Sequence, residues 1–137
     1  MKKYVIDTNA LISFVTDRNP EQQSIVGSIL ERASRLKGVV LCHTHVLTEF
    51  VYVLEKVYGV PPAEIKDMIK DFIALPGVKI IQEIDFREIF AYWPEVIGDF
   101  GDALVASLVK ARKGSVLLTF DQKFLVQIKK AGLPAYS

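Results

Sequence analysis

Four carboxylic acids stand at positions where chemistry explains them better than folding does. Asp7 and Asp121 each follow an apolar run typical of a buried strand. Asp102 opens an otherwise apolar helical stretch, and Glu49 lies at the edge of an apolar helical stripe. Carboxylates that share one site repel each other unless a cation neutralises them, and their hard oxygens suit Mg²⁺ or Mn²⁺. The leading interpretation is therefore a metal-dependent enzyme of phosphodiester chemistry.

The elements that must position these acids alternate between strands and helices. Continuous apolar runs predict four strands, and a short C-terminal run predicts an edge strand, at Tyr4–Ile6, Val39–Cys42, Val78–Ile81, Val116–Thr119 and Leu133–Tyr136. Apolar residues at helical spacing, with capping residues and glycine or proline at the ends, predict helices over Ala10–Val15, Pro20–Leu36, Thr44–Tyr58, Pro62–Leu75, 86–92, Gly101–Arg112 and Asp121–Ala131. The expected N-caps are Thr8 or Asn9, Thr44, Asp85 and Asp99.

Strands separated by helices indicate a parallel sheet with right-handed crossovers. We expect an α/β fold of three layers, α/β/α, around a mostly parallel sheet of four to five strands. With 137 residues, half of them hydrophobic, the chain is expected to form one domain over residues 1–137. Ligands of such sheets bind beyond the carboxyl ends of the strands, so acids at strand ends are expected to converge on one crevice.

Composition and local sequence bear on where the protein works and on the partners it could have. The formal net charge of +1 neither indicates nor excludes a nucleic-acid partner. The single cysteine, Cys42, lies in an apolar run, so we expect a buried thiol and a cytoplasmic, reducing setting. Asp7 and Asn9 interrupt the apolar N-terminal run, which argues against an export signal. No stretch is long and apolar enough to predict a membrane span.

Each acid also has an ordinary structural interpretation. Glu49 could be a boundary residue that reaches solvent or pairs with Lys56. Acids in the first turn of a helix complement its dipole, which would account for Asp102, and Asp99 and Asp121 could be simple caps. Asp7 is the hardest to explain in this way. The convergence of all four acids is the argument for a site, and it depends on the fold.

Other patterns carry less weight. His43 and His45 could bind a metal, but no third nitrogen or thiolate ligand accompanies them, so ordinary core or surface roles are favoured. No phosphate-binding glycine loop or dinucleotide fingerprint occurs. Among the lysines, Lys123 is the best candidate for a phosphate contact, because it lies two residues after Asp121.

Four short motifs, taken in order, resemble those of the PIN-domain nucleases, and within them of the VapC-type ribonuclease toxins of toxin–antitoxin modules. The motifs span 7–11 (DTNAL), 48–49 (TE), 101–106 (GDALVA) and 118–124 (LTFDQKF). Each motif is short, but their order and spacing cover essentially the whole chain. The region 61–94 carries no motif of this family and is expected to bear specificity or partner contacts.

The resemblance implies a Mg²⁺- or Mn²⁺-dependent endoribonuclease. It implies that Asp7, Glu49, Asp102 and Asp121 are the catalytic, metal-binding acids. Four further residues are implied as supporting ones, namely Thr8, Asn9, Thr119 and Asp99. The expected partners are an RNA substrate, a small antitoxin protein and a second copy in a homodimer. Four apolar or aromatic side chains are candidates for partner surfaces: Phe14, Tyr52, Tyr92 and Trp93.

Other functions remain open at this point. A nuclease of the same family could process RNA without any toxin role. A non-catalytic, acidic-pocket signalling or binding module of the receiver type has a similar size and architecture. The receiver would need paired acids after the first strand and a lysine after the last central strand, where this chain has Asp7 alone and Thr119–Asp121. An aspartyl-phosphate phosphatase would need an acid where Asn9 stands.

Overall fold

The computed structural model describes residues 1–136 and contains four strands and seven helices in that range. The strands are β1 (Lys2–Ile6), β2 (Gly38–His43), β3 (Val78–Ile81) and β4 (Ser115–Leu118). The helices are α1 (Thr8–Val15), α2 (Pro20–Ser34), α3 (Thr44–Lys56), α4 (Pro62–Ile73), α5 (Phe86–Tyr92), α6 (Phe100–Ala111) and α7 (Gln122–Lys130). All seven predicted helices and the first four predicted strands are present, with ends that differ by at most two residues.

The four strands form one parallel sheet in the order β3-β2-β1-β4. Helices α1 to α4 pack against one another and against β2 and β3, while α6 packs on β1 and β4 beside α5. The predicted three-layer α/β/α fold is therefore confirmed. The expected edge strand is reduced to a single parallel bridge between Leu117 and Ala135.

The strand order places a switch point at β1. The chain leaves β1 toward β2 and β3 on one side, and β4 returns to pair with β1 on the other side. The loops that follow β1 and β4 therefore diverge and leave a crevice between them, which is where ligands bind in open sheets of this kind. Asp7 directly follows β1, and Thr119 directly follows β4.

The centre of the sheet is buried on both faces. Val5 and Ile6 of β1 and Leu117 and Leu118 of β4 are fully shielded from solvent. This burial explains the continuous apolar runs, because a strand covered by helices on both faces has no polar side. Cys42 is fully buried as well, as predicted, and burial raises the pKa of its thiol to about 12.

Two predicted helix caps are wrong. Helix α1 is capped by Asp7 and not by Thr8 or Asn9, because the Asp7 backbone is extended and its Oδ1 accepts the Ala10 N–H at 3.0 Å. Helix α3 begins at Thr44, and its cap is the preceding residue, His43. The Nδ1 atom of His43 accepts the His45 N–H at 2.9 Å, so an imidazole nitrogen replaces the usual cap oxygen.

Gly77 allows α2, β2 and β3 to come together closely. Its N–H donates to the Ala33 carbonyl at 2.9 Å, and its carbonyl accepts the Val40 N–H at 2.9 Å. A Cβ at this position would lie 2.5 Å from the Ala33 carbonyl oxygen and 2.6 Å from that of Gly38. Glycine is therefore required here by the close approach of two backbones.

None of the helices within residues 1–136 combines the length and the apolar character needed to cross a bilayer.

Candidate active site

A cavity of about 260 Å³ lies at the carboxyl ends of the strands, in the crevice beside β1. The structure brings all four predicted acids and Asp99 to its walls. The complete lining is Asp7, Thr8, Asn9, Glu49, Val53, Asp99, Gly101, Asp102, Val105 and Asp121. Four elements that are distant in sequence contribute these residues: the starts of α1, α6 and α7, and the middle of α3.

Three of the five acids are helix caps. Asp7, Asp99 and Asp121 precede α1, α6 and α7, respectively. The Oδ1 atom of each accepts the backbone N–H of the residue three positions along, at 3.0, 2.9 and 3.1 Å. The capping roles considered for Asp99 and Asp121 are thus present. Capping occupies one oxygen of each carboxylate, and the three helix N-termini place partial positive charge at the cavity.

The other two acids have no capping role. Asp102 lies in the first turn of α6, and its own N–H donates to the Asp99 cap. The Glu49 side chain is 49% exposed and points from α3 to the cavity rim. Among the described residues, Glu49 forms no ion pair with Lys56. These two acids therefore contribute negative charge to the cavity without securing a helix end.

Polar neighbours orient the acids and the loops that carry them. The Thr8 hydroxyl donates to Glu49 Oε1 at 2.6 Å. The side-chain oxygen of Asn9 accepts the Phe120 N–H at 2.9 Å, which joins the start of α1 to the loop after β4. The Thr119 hydroxyl oxygen accepts the Asp121 N–H at 3.2 Å. Asn9 thus fixes the loops after β1 and β4 relative to each other, Thr8 joins α1 to Glu49 on α3, and Thr119 orders the loop that carries Asp121.

Burial raises the pKa of Asp7 to about 7. Its side chain is almost completely removed from water, and that desolvation is the largest influence on it. The Thr119 hydroxyl and the Ala10 N–H favour the charged form and lower the pKa, whereas the charges of Asp121 and Glu49 raise it. Asp7 therefore lies in an apolar setting with other carboxylates close by.

Burial also raises the pKa of Asp102 to about 7, and the charge of Asp99 is the next cause. The charges of Asp7, Asp121 and Glu49 act in the same direction. The five acids of the cavity are therefore electrostatically coupled. Desolvation is the largest cause of the raised pKa in both Asp7 and Asp102, and the charges of the neighbouring carboxylates add to it.

The donor set of the cavity fits a hard divalent cation. Most of its donor atoms are carboxylate oxygens. Two of the acids have raised pKa values, which a bound cation would lower again. Within residues 1–136, no three side chains from His, Cys, Asp and Glu form a ready-made metal-binding group. Mg²⁺ is commonly held by only one or two carboxylates and keeps several waters, so a full protein cage is not required.

Two predicted residues lie outside this arrangement. Lys123 is exposed in the first turn of α7, and none of the hydrogen bonds or ion pairs of the described residues involves its side chain. His43 is buried away from the cavity, where it caps α3, and its Nε2 lies 3.0 Å from the Glu83 carbonyl oxygen. The interpretation of His43 as an ordinary core residue is thus supported.

Sequence reasoning missed the position of His45 at this site. Its Nε2 atom lies 4.0 Å from Glu49 Oε2, one helical turn away along α3. A spacing of four residues on a predicted helix was the available signal, because such residues share a face. The contact of its ring with Gly101 could not be predicted from the sequence.

The aromatic residues suggested for partner contacts differ in exposure. Tyr52 is 63% exposed. Phe14, Tyr92 and Trp93 are partly buried and pack against the core. Phe14 also lines an apolar cavity of about 410 Å³ between α1, α2, α3 and α4, on a different part of the surface from the acids.

Comparisons with known proteins agree with the fold and the motifs. The sequence profile of the PIN domain matches residues 4–130. Seventeen chains of solved structures match, among them the crystal structure of PAE2754 from Pyrobaculum aerophilum, with a TM-score of 0.63 and 18% sequence identity over 92% of this chain and 84% of that chain. No curated protein matches the chain. The profile covers nearly the whole sequence, so the chain belongs to the PIN domain family, whose fold is that of nucleases acting on nucleic acid.

Proposed function

We propose that the chain is a Mg²⁺- or Mn²⁺-dependent endoribonuclease that hydrolyses RNA phosphodiester bonds. The observation that carries this proposal is the convergence of Asp7, Glu49, Asp102 and Asp121 on one cavity, where burial, together with the charges of the neighbouring acids, raises the pKa of two of them. A purely structural role for these acids does not explain why two that cap no helix, Glu49 and Asp102, face two that do.

The four acids are the proposed ligands of the cation. When bound, the cation would supply positive charge against the scissile phosphate and would activate a water for attack. Asp7 and Asp121 are held in place by the helices that they cap. The Thr8 hydroxyl orients Glu49, and Thr119 and Asn9 fix the loop that carries Asp121. Asp99 orients the first turn of α6 and adds negative charge beside Asp102.

Lys123 is the proposed contact to substrate phosphate. Its side chain is exposed in the first turn of α7, directly after the Asp121 cap. A helix N-terminus also favours anions, because its unpaired N–H groups point outward. We propose RNA rather than DNA as the substrate because the four motifs resemble those of ribonucleases. The VapC-type toxins share the same ordered set of motifs.

The first test is RNA cleavage by wild type and Asp7→Asn in Mn²⁺ and in EDTA. Asparagine caps helices as well as aspartate does, so the variant should keep its fold while losing the charge that the cation needs. We expect cleavage by wild type in Mn²⁺ only, and no cleavage by Asp7→Asn. Asp67→Asn removes an exposed acid on α4 and should cleave like wild type. Full activity in Asp7→Asn, from a preparation free of contaminating nuclease, would refute the assignment.

The toxin role is a finer part of the proposal and needs its own test. A ribonuclease toxin must be restrained, so we propose a small antitoxin protein as a partner, and a homodimer as the working assembly. Expression of wild type should arrest growth, whereas Asp7→Asn should not, and a small protein encoded beside the toxin should relieve the arrest. RNA cleavage without growth arrest would favour the alternative, an RNA-processing nuclease of the same family.

A further inference from the structure

The imidazole of His45 contains a buried polar atom without a partner. Its Nε2 is shielded from solvent and has no hydrogen-bond partner among the described residues. The side chain as a whole is 35% exposed, so the shielding is confined to this end of the ring. A buried polar atom left unpaired destabilises the folded state, and native proteins keep few of them. The position of this nitrogen therefore requires an explanation.

Gly101 explains how the ring is held. A Cβ at Gly101 would overlap His45 Nε2 and would lie 3.2 Å from Asp99 Oδ1. The imidazole thus packs directly against the backbone of the first turn of α6, between the Asp99 cap and Asp102. At the other end of the residue, the His45 N–H donates to His43 Nδ1. The imidazole of His45 therefore extends from α3, which carries Glu49, and packs against α6, which carries Asp102.

The polar atom that His45 can reach is on Glu49. Nε2 lies 4.0 Å from Glu49 Oε2, which is too far for a hydrogen bond and needs a movement of about 1 Å to become one. The other oxygen of the same carboxylate, Oε1, already accepts the Thr8 hydroxyl at 2.6 Å. Glu49 thus has one fixed oxygen and a second oxygen that faces an imidazole nitrogen with no other partner.

We propose that His45 is a positioning residue for Glu49. Its imidazole donates Nε2–H to Oε2 in the working site, so that Thr8 and His45 hold the carboxylate from both sides. His45 touches neither the cation nor the substrate and acts through Glu49. Gly101 is part of the same device, because only glycine leaves room for the ring. This inference rests on the proposed role of Glu49 as a cation ligand.

The test compares His45→Leu, which removes the donor at similar bulk, with His45→Gln, which returns an N–H donor at a similar reach. The readouts are the Mn²⁺ concentration at half-maximal RNA cleavage and the rise in melting temperature caused by Mn²⁺. Loss of a residue that orients a metal ligand typically weakens metal affinity 10- to 100-fold. We expect half-maximal cleavage by His45→Leu to need at least roughly 10-fold more Mn²⁺ than cleavage by wild type, with full cleavage recovered at high Mn²⁺. The Mn²⁺ requirement of His45→Gln should be close to that of wild type.

Gly101→Ala provides an independent route to the same state, because the new methyl displaces the ring. Its Mn²⁺ requirement should rise as in His45→Leu, and adding His45→Ala to it should cause little further change. A His45→Leu protein with the Mn²⁺ requirement of wild type overturns the proposal for His45. So does a His45→Gln protein as impaired as His45→Leu. A wild type that neither responds to Mn²⁺ nor cleaves RNA instead overturns the proposed function, and the role of His45 with it.

Discussion

Asp102 separates the effect of charge from the effect of capping more cleanly than the other acids do. It caps no helix, and burial and four neighbouring acids raise its pKa. We expect Asp102→Asn to melt at or above wild type in EDTA at pH 8, because one repelling charge is removed. The same variant should lose RNA cleavage and most of the melting shift caused by Mn²⁺. Thermal melts of both proteins decide the matter, and a variant that melts below wild type in EDTA would contradict it.

Asp121 permits the opposite comparison, between a cap that loses its charge and a cap that is lost altogether. Its Oδ1 accepts the Phe124 N–H at 3.1 Å. Asp121→Asn should keep the cap and the stability, while Asp121→Ala should lose about 0.5–2 kcal/mol of the free energy of unfolding. Both variants should lose most RNA cleavage. Denaturant melts in EDTA give the stabilities, and equal stability of the two variants would argue against capping by Asp121.

At the scale of residues, the sequence predicted more about chemistry than about local geometry. Asp7 and Asp121 were recognisable because an acid after an apolar strand is unusual, whereas Glu49 and Asp102 were recognisable as acids at the edge or start of an apolar helical stretch. The caps of α1 and α3 were predicted wrongly, because Asp7 and Thr8 are both good caps and the backbone angles that choose between them are not visible in a sequence. A histidine as the cap of α3 has no common precedent in sequence patterns. The contact between His45 and Gly101 depends on how α3 and α6 cross.

At the scale of elements, the junction of α2, β2 and β3 leaves no room for a side chain at Gly77. Gly77→Ala would place a Cβ against the carbonyls of Ala33 and Gly38. Overpacking of this kind costs roughly 1–3 kcal/mol, and more when backbone must move, so we expect at least that loss in the free energy of unfolding. Urea melts of Gly77→Ala provide the measurement.

Gly27 is the matched control for this substitution. It lies inside α2, and a Cβ there would meet only Phe14 at an ordinary 3.7 Å. Alanine is favoured over glycine within helices, so Gly27→Ala should stabilise the protein by about 0.5–1 kcal/mol. The same chemical change is thus expected to have opposite effects on stability at Gly77 and at Gly27. A neutral Gly77→Ala would show that the backbones can separate without cost.

The order of elements was well determined by the sequence, whereas their ends were not. Apolar runs and helical spacing report which segments are buried, and burial depends on several residues at once. The end of a helix depends on one or two hydrogen bonds, so α2 and α3 stop two residues before the predicted positions. The C-terminal edge strand is a single bridge because Pro134 offers no N–H for a ladder.

At the scale of the whole molecule, the raised pKa values make stability depend on pH. Asp7 and Asp102 have folded-state pKa values of about 7, against 3.8 for an aspartate fully exposed to water, as in the unfolded chain. Between these values the folded chain binds more protons than the unfolded chain, so stability falls as the pH rises. The extra stability is fully present below about pH 4 and is lost by about pH 7–8. In EDTA, we therefore expect the melting temperature to decrease from pH 5 to pH 8.

A divalent cation should reverse this trend. Mn²⁺ binds the charged form of the acids, so its stabilising effect should be larger at pH 8 than at pH 5. Binding to the folded state alone adds about 2.7 kcal/mol at a hundredfold excess of free ion over its dissociation constant. Asp102→Asn serves as the control, with a flatter dependence on pH in EDTA. A wild-type melting temperature that rises from pH 5 to pH 8 in EDTA would contradict the coupling of these acids.

The capping roles of Asp7, Asp99 and Asp121 have a consequence for how such a chain can evolve. A lineage that no longer needs activity can discard Glu49 or Asp102 without losing a helix cap, and removing Asp102 even relieves repulsion. Loss of a capping acid would instead weaken a helix start unless Asn, Ser or Thr replaces it. Inactive descendants should therefore retain much of the acidic rim as a structural relic. Among relatives of this chain, the presence of Glu49 and Asp102 should report activity better than the presence of Asp7.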